Sequence, residues 1–197
     1  MTVTDYAVHL ILGTILIVGA YQFYFWCQRN PLRPARELRL PLDDRIPFRP
    51  EWVWIYSFLY YPVILYTTWI VQSSREFVYV AMSFLGLLAM QMAFFLVLPV
   101  ATPEAWRAVN GGRTSSERFL AFVQRIDARS NSFPSMHTSV ATLTALYLWP
   151  HVGPGAFAFP VVIGLSCLFT KQHYLVDLPA GAALGWLAHF VFAIAIA

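Results

Sequence analysis

The sequence predicts an all-α integral membrane bundle of about six transmembrane helices, and three observations carry that expectation. Of the 197 residues, 58% are hydrophobic and only 12% are charged, against about 45–50% and about 25% in a typical soluble domain. The stretches between successive charged side chains, 6–28, 52–74, 77–103, 130–170 and 178–197, each reach the ~20 residues that cross a bilayer, and 130–170 has room for two helices and a turn. An open sheet in lipid would leave backbone groups unpaired, so helices are the remaining solution. The whole chain, 1–197, therefore reads as a single multi-pass membrane domain. A soluble enzyme and a disordered tail are excluded.

Helix 1 is expected over about 6–26. No Lys or Arg precedes it, and it is longer than the apolar core of a signal peptide, so it is expected to be retained. Residues 29–51 hold Pro31, Pro34, Pro41, Pro47 and Pro50 with six arginines. That composition predicts an irregular surface loop touching phosphate headgroups. Tyr24, Phe25 and Trp26, then Trp52, Trp54 and Tyr56, sit where rings anchor at the interface. Helix 2 follows over about 52–72. Helix 3 runs over about 77–98, where Pro99 and Pro103 discourage continuation.

Thr114-Ser115-Ser116-Glu117 fits a capping box, with Phe119, Phe122, Val123 and Ile126 at helical spacing and Arg118 and Arg125 opposite. This predicts a short helix in the headgroup plane. Helix 4 is expected over about 136–149, a turn at 151–155, helix 5 over about 156–170 and helix 6 over 177–197. Gly181 and Gly185 form a G-x-x-x-G spacing that fits either a homodimer or close packing within one bundle. Cys27 and Cys167 supply neither a disulfide framework nor a zinc-ligand spacing. The net charge of +3 has only membrane spans and short loops around it, so anionic headgroups rather than nucleic acid are the expected partner.

Ionisable groups inside or beside membrane helices are functional candidates by default. In Asn131-Ser132-Phe133-Pro134-Ser135-Met136-His137, Pro134 interrupts regular structure, Ser135 is a good N-cap, and His137 falls in the first turn of helix 4. The free N–H groups of such a helix start favour phosphate. In Thr170-Lys171-Gln172-His173-Tyr174-Leu175-Val176-Asp177, His173 and Asp177 would share a helical face, so the carboxylate could hold one imidazole nitrogen and leave the other as a nucleophile. Because helix 4 crosses away and helix 5 returns, both histidines are expected at one face. One histidine attacking and the other donating a proton is phosphoryl-transfer chemistry. Of the arginines between helices 3 and 4, Arg107 and Arg129 are the two expected to touch substrate.

Phe133-Pro134-Ser135-Met136-His137 followed by His173-Tyr174-Leu175-Val176-Asp177 resembles the second and third signature motifs of the type 2 phosphatidic acid phosphatase superfamily. The forms are more similar to the branch that includes inositol phosphorylceramide synthases, and the likeness covers a catalytic core of about 95–190. Residues 98–107 resemble the proline-rich first motif of that branch, which makes Arg107 a phosphate-binding cation. Lys171 would supply the charge absent from Ser166-Cys167, where the phosphatase motif reads Ser-Arg. The resemblance implies that His173 forms a phosphohistidine, Asp177 orients it, His137 protonates the leaving group, and Ser135 helps bind phosphate. It implies no metal and no other cofactor. The substrate implied is a phospholipid or lipid phosphate, with water or an alcohol as acceptor.

Two other readings stand beside it. A bis-histidine haem protein would pair His137 and His151 with His173 and His189, and a non-catalytic membrane protein would need none of them. The loops 29–51, 101–135 and 171–177 carry 12 of the 13 cations, which points the site toward the cytoplasm. Superfamily members generally work on the opposite face, so the two cues oppose each other.

Overall fold

The computed structural model describes residues 1–108 and 110–196; the last residue of the sixth expected helix, 197, lies outside them. α1 (Val3–Arg29) opens on a capping box in which Thr2 and Asp5 satisfy each other's backbone N–H groups. It therefore starts before the uncharged stretch does, since Asp5 serves as a cap rather than a break. α2 (Pro41–Arg45) lies within the proline-rich segment. The expected second span is broken: a 3-10 turn at Pro50–Trp52 and a π turn at Ile55–Leu59 lead into α3 (Tyr60–Ile70). Pro62 has no N–H to return to the carbonyl four residues back, and the turn before it widens.

α4 (Ser74–Val97) is capped by Ser73, whose hydroxyl accepts the Glu76 N–H at 3.1 Å. α5 (Glu104–Ala108) and α6 (Ser115–Ile126) follow, α6 beginning at the Thr114/Glu117 capping box. α7 (Met136–Val152) continues through Pro150 and His151, three residues past its expected end at about 149 and into the expected turn. Pro150 costs one hydrogen bond near the helix end, and Gly153, with φ of 65°, ends the run. A 3-10 turn at Gly153–Phe157 connects to α8 (Ala158–Phe169), and α9 (Asp177–Ile196) closes the bundle.

No strand occurs among the described residues, so the all-α membrane bundle stands. Four segments are long and apolar enough to cross a membrane, Val3–Arg29, Ser74–Val97, Met136–Phe169 and Asp177–Ile194. Met136–Phe169 holds α7 and α8 in succession, whereas the segment around α3 is too interrupted to count. Outward-facing Ile11, Ile15, Val18, Phe190 and Ile194 are exposed, as lipid-facing side chains must be.

α7 is the central helix, packed against α3, α4, α8 and α9. Its closest neighbour is α9. A Cβ added at Gly181 would lie 2.4 Å from the Ser135 carbonyl oxygen, and one at Gly185 2.2 Å from that of Ser139. The G-x-x-x-G face is thus used within the bundle. Residues 29–51, expected as a surface loop, are stitched to the core by backbone bonds. Arg36 pairs with Pro99 and Ala101, and the Arg49 N–H donates to the Phe169 carbonyl at 2.8 Å.

Candidate active site

The start of α7 and the turn before α9 meet. The Ser135 N–H donates to the Asp177 carbonyl at 3.0 Å, and its hydroxyl accepts the Thr138 N–H at 3.3 Å as the N-cap of α7. The Phe133–Pro134 peptide before it is cis. Gln91 of α4 holds this turn, donating to the Pro134 carbonyl and accepting from the Ser139 hydroxyl. In the first turn of α7, the His137 ring stacks on Tyr56 with centroids 4.2 Å apart and lies 5.0 Å from Tyr60.

His173 sits in an irregular turn rather than on a helix, because α9 begins only at Asp177. The pairing with Asp177 nevertheless forms. His173 Nδ1 lies 2.9 Å from the Ser132 carbonyl and 3.2 Å from Asp177 Oδ2. Both neighbours accept, so Nδ1 carries the proton and Nε2 keeps its lone pair. Asp177 Oδ2 also accepts the Tyr174 N–H at 2.9 Å. The two imidazole rings lie 6.0 Å apart, edge to face. A ring nitrogen from each and the sulfur of Cys167, near the end of α8, all fall within 4.8 Å of one another.

The three cations expected to bind phosphate are each already engaged. Lys171, with φ of 58°, donates to the Asp43 carbonyl at 2.7 Å and stands 4.9 Å over the Trp106 ring. Burial holds its ammonium below the ordinary lysine value. Arg107 donates through Nη1 to the Gln124 and Asp127 carbonyls at the end of α6, while its buried Nε and Nη2 have no partner among the described residues. Burial lowers its guanidinium as well, with Asp127 opposing the shift. Arg129 takes φ of 73°, its Nη1 3.4 Å from the Thr102 carbonyl.

Sequence reasoning missed two contributors. Asp43 is 1% exposed, its Oδ1 accepting the Leu175 N–H at 2.8 Å and Oδ2 the Leu40 N–H at 2.7 Å. It ties the proline-rich segment to the loop that carries His173, a contact 132 residues apart that no local pattern announces. Tyr174 is the second, donating to the Ala101 carbonyl at 2.7 Å and so joining that loop to the segment before α5. His151 is exposed beside the far end of α7, and His189 lies against Tyr147. Neither faces His137 or His173 in the way axial haem ligation requires.

Beside His137 is an apolar cavity of about 420 Å³ between α1, α3, α4, α6 and α7. Leu16, Tyr60, Ile64, Phe84 and Met136 are among its walls, and His137, Gln91 and Asp127 are among the polar residues that line it.

Residues 37–191 match a family model described as the PAP2 superfamily. The inositol phosphorylceramide synthase catalytic subunit AUR1 of Saccharomyces cerevisiae is 33% identical over 86 residues, covering 39% of this chain and 21% of that protein. The matched stretch is thus about a fifth of that relative's length. No solved structure matches the chain.

Proposed function

Because the chain belongs to the PAP2 superfamily, whose members process lipid phosphates, we propose that it transfers a phosphoryl or phospho-headgroup from a membrane lipid to His173 and on to water or an alcohol. The single observation that carries this reading is the Nδ1 of His173 held between Ser132 and Asp177, beside a second imidazole 6.0 Å away.

His173 Nε2 attacks phosphorus, a P–N bond forms, and the P–O bond to the lipid alcohol breaks. His137 delivers its proton to the departing oxygen. Asp177 keeps the Nδ1 proton in place and stabilises the positive charge that develops on the ring. Water or an alcohol then attacks phosphorus, His137 takes its proton, and the P–N bond breaks to restore His173. No step requires a metal. Ser135 at the start of α7 is assigned to a phosphate oxygen. Arg107 and Arg129 are assigned to the remaining charge, a reading supported by the unpartnered Nε and Nη2 of Arg107. Lys171 would reach phosphate by leaving the Asp43 carbonyl. The acyl chain is assigned to the apolar cavity beside His137.

Water as acceptor makes the protein a lipid phosphate phosphatase. The likeness to an inositol phosphorylceramide synthase subunit favours a second reading, transfer to an alcohol as the sole activity. Incubating detergent-purified protein with radiolabelled lipid phosphates and phosphodiester lipids, with and without alcohol acceptors, separates the two. Free phosphate marks the phosphatase, and a labelled lipid formed only with acceptor marks the transferase. Either product should vanish in His173→Ala, together with an acid-labile, alkali-stable protein adduct. Product from the His173→Ala protein at the wild-type rate would refute the mechanism.

A further inference from the structure

We propose that His137, Cys167 and His173 form a binding site for a thiophilic divalent cation of the zinc class, and that the bound ion blocks phosphotransfer. The inhibitory consequence rests on the function proposed above; the binding does not. One nitrogen from each imidazole and the Cys167 sulfur lie within 4.8 Å of one another. Tetrahedral zinc holds nitrogen at about 2.0–2.1 Å and sulfur at about 2.3 Å, so its ligand atoms stand roughly 3.3–3.8 Å apart. Closing the remaining distance from 4.8 Å takes a contraction of at most about 1–1.5 Å, within reach of small side-chain rotations.

The neighbours of His173 favour the same outcome. An imidazole that ligates a metal donates its other N–H to a carboxylate or carbonyl, which fixes the ring and raises its basicity. His173 Nδ1 makes that contact with Asp177 and the Ser132 carbonyl. The arrangement that readies Nε2 for phosphorus therefore readies it equally for a metal. Cys167 has no part in the phosphotransfer, yet it is a fully buried free thiol whose sulfur lies within 4.8 Å of a nitrogen of each imidazole. Two nitrogens and one sulfur leave a fourth position for water or a phosphate oxygen. Soft and borderline ions suit this set, whereas magnesium and calcium prefer oxygen ligands.

Binding converts the thiol to a metal-bound thiolate and releases one proton, so affinity should rise with pH. The ion and the donor phosphorus compete for one lone pair. Inhibition should therefore be competitive with lipid.

Cobalt(II), titrated into chelator-treated, detergent-purified full-length protein, provides a readout independent of turnover. One equivalent should give the intense visible bands of four-coordinate cobalt and a near-ultraviolet thiolate charge-transfer band, both removed by added zinc. Cys167→Ser should lose the charge-transfer band and bind at least about tenfold more weakly; Cys167→Ala makes the same comparison if the serine variant misfolds. In the activity arm, zinc should inhibit wild type with an IC50 at least about tenfold below that of the cysteine variant, and magnesium should not inhibit. Only the weak spectrum of hydrated cobalt, or a charge-transfer band that survives loss of Cys167, would overturn the site. If no lipid is turned over, the cobalt spectrum still decides binding, so the two proposals fail separately.

Discussion

Replacing Gly181 by alanine tests how closely α9 must approach α7. The added Cβ would meet the Ser135 carbonyl oxygen at 2.4 Å, with the Ser135 carbon and nitrogen both at 3.3 Å. All three are backbone atoms at the start of a helix, so no side chain can swing aside. Restoring an ordinary 3.4 Å contact separates the two backbones locally by roughly 1 Å, a displacement that can cost on the order of 10²-fold in rate when it reaches reacting groups. Here it does reach them, because Ser135 donates to the Asp177 carbonyl at this point. Overpacking of this kind costs about 1–3 kcal/mol of stability. Gly185→Ala provides the control. Its Cβ meets the Ser139 carbonyl oxygen at 2.2 Å, a slightly closer clash one helical turn from the site. Both variants should lose about the same stability in thermal unfolding in detergent, while Gly181→Ala should lose far more turnover per folded molecule. Equal turnover in the two would refute the assignment of the Ser135–Asp177 contact to the active centre.

Asp177→Asn should keep the packing but remove the charge that holds the His173 proton, lowering turnover by about 10²–10⁴-fold, as read by single-turnover formation of the adduct. Asp43→Ala strands the N–H groups of Leu175 and Leu40. Both bonds are part-buried, so the loss should be about 1–3 kcal/mol in all, and Asp43→Asn, which keeps an acceptor, should recover part of that in the same unfolding assay. Lys171 supplies a pH test. Its folded value lies below the ordinary 10.5 because burial penalises the ammonium. Between those two values the unfolded chain holds the extra proton, so wild-type stability relative to Lys171→Met should rise as pH climbs through that alkaline window. A flat or falling difference would show that the ammonium is not penalised by folding.

Features whose causes are local could be read from the sequence. The Thr114/Glu117 capping box and the Ser135 cap occur where their residues predict them, because a cap is decided within four residues. The meeting of His137 with His173 was legible for a different reason: a helix that crosses and a helix that returns must bring their outer ends to one face. The π turn before α3 has a local cause in Pro62, but the unbroken apolar run masks it, and the run of α7 through Pro150 was not legible because Pro150 signals an earlier stop. Asp43 and Cys167 were hidden more deeply. Asp43 lies in a segment that reads as a headgroup loop, and apart from Leu40 its partners are 128–132 residues away. Cys167 sits in an apolar run where a small hydrophobe is the ordinary expectation.

The cavity beside His137 has a kinetic consequence for the proposed reaction. Phe58, Leu85 and Ile126 line it and are also exposed on the outer surface of the bundle, so it reaches the lipid-facing side. A donor whose tail fills it would arrive by lateral diffusion within a two-dimensional phase and never pass through bulk water. Its effective concentration is then a mole fraction among amphiphiles. Adding inert detergent at constant total lipid should slow turnover by surface dilution, and adding buffer at a constant lipid-to-detergent ratio should leave it unchanged.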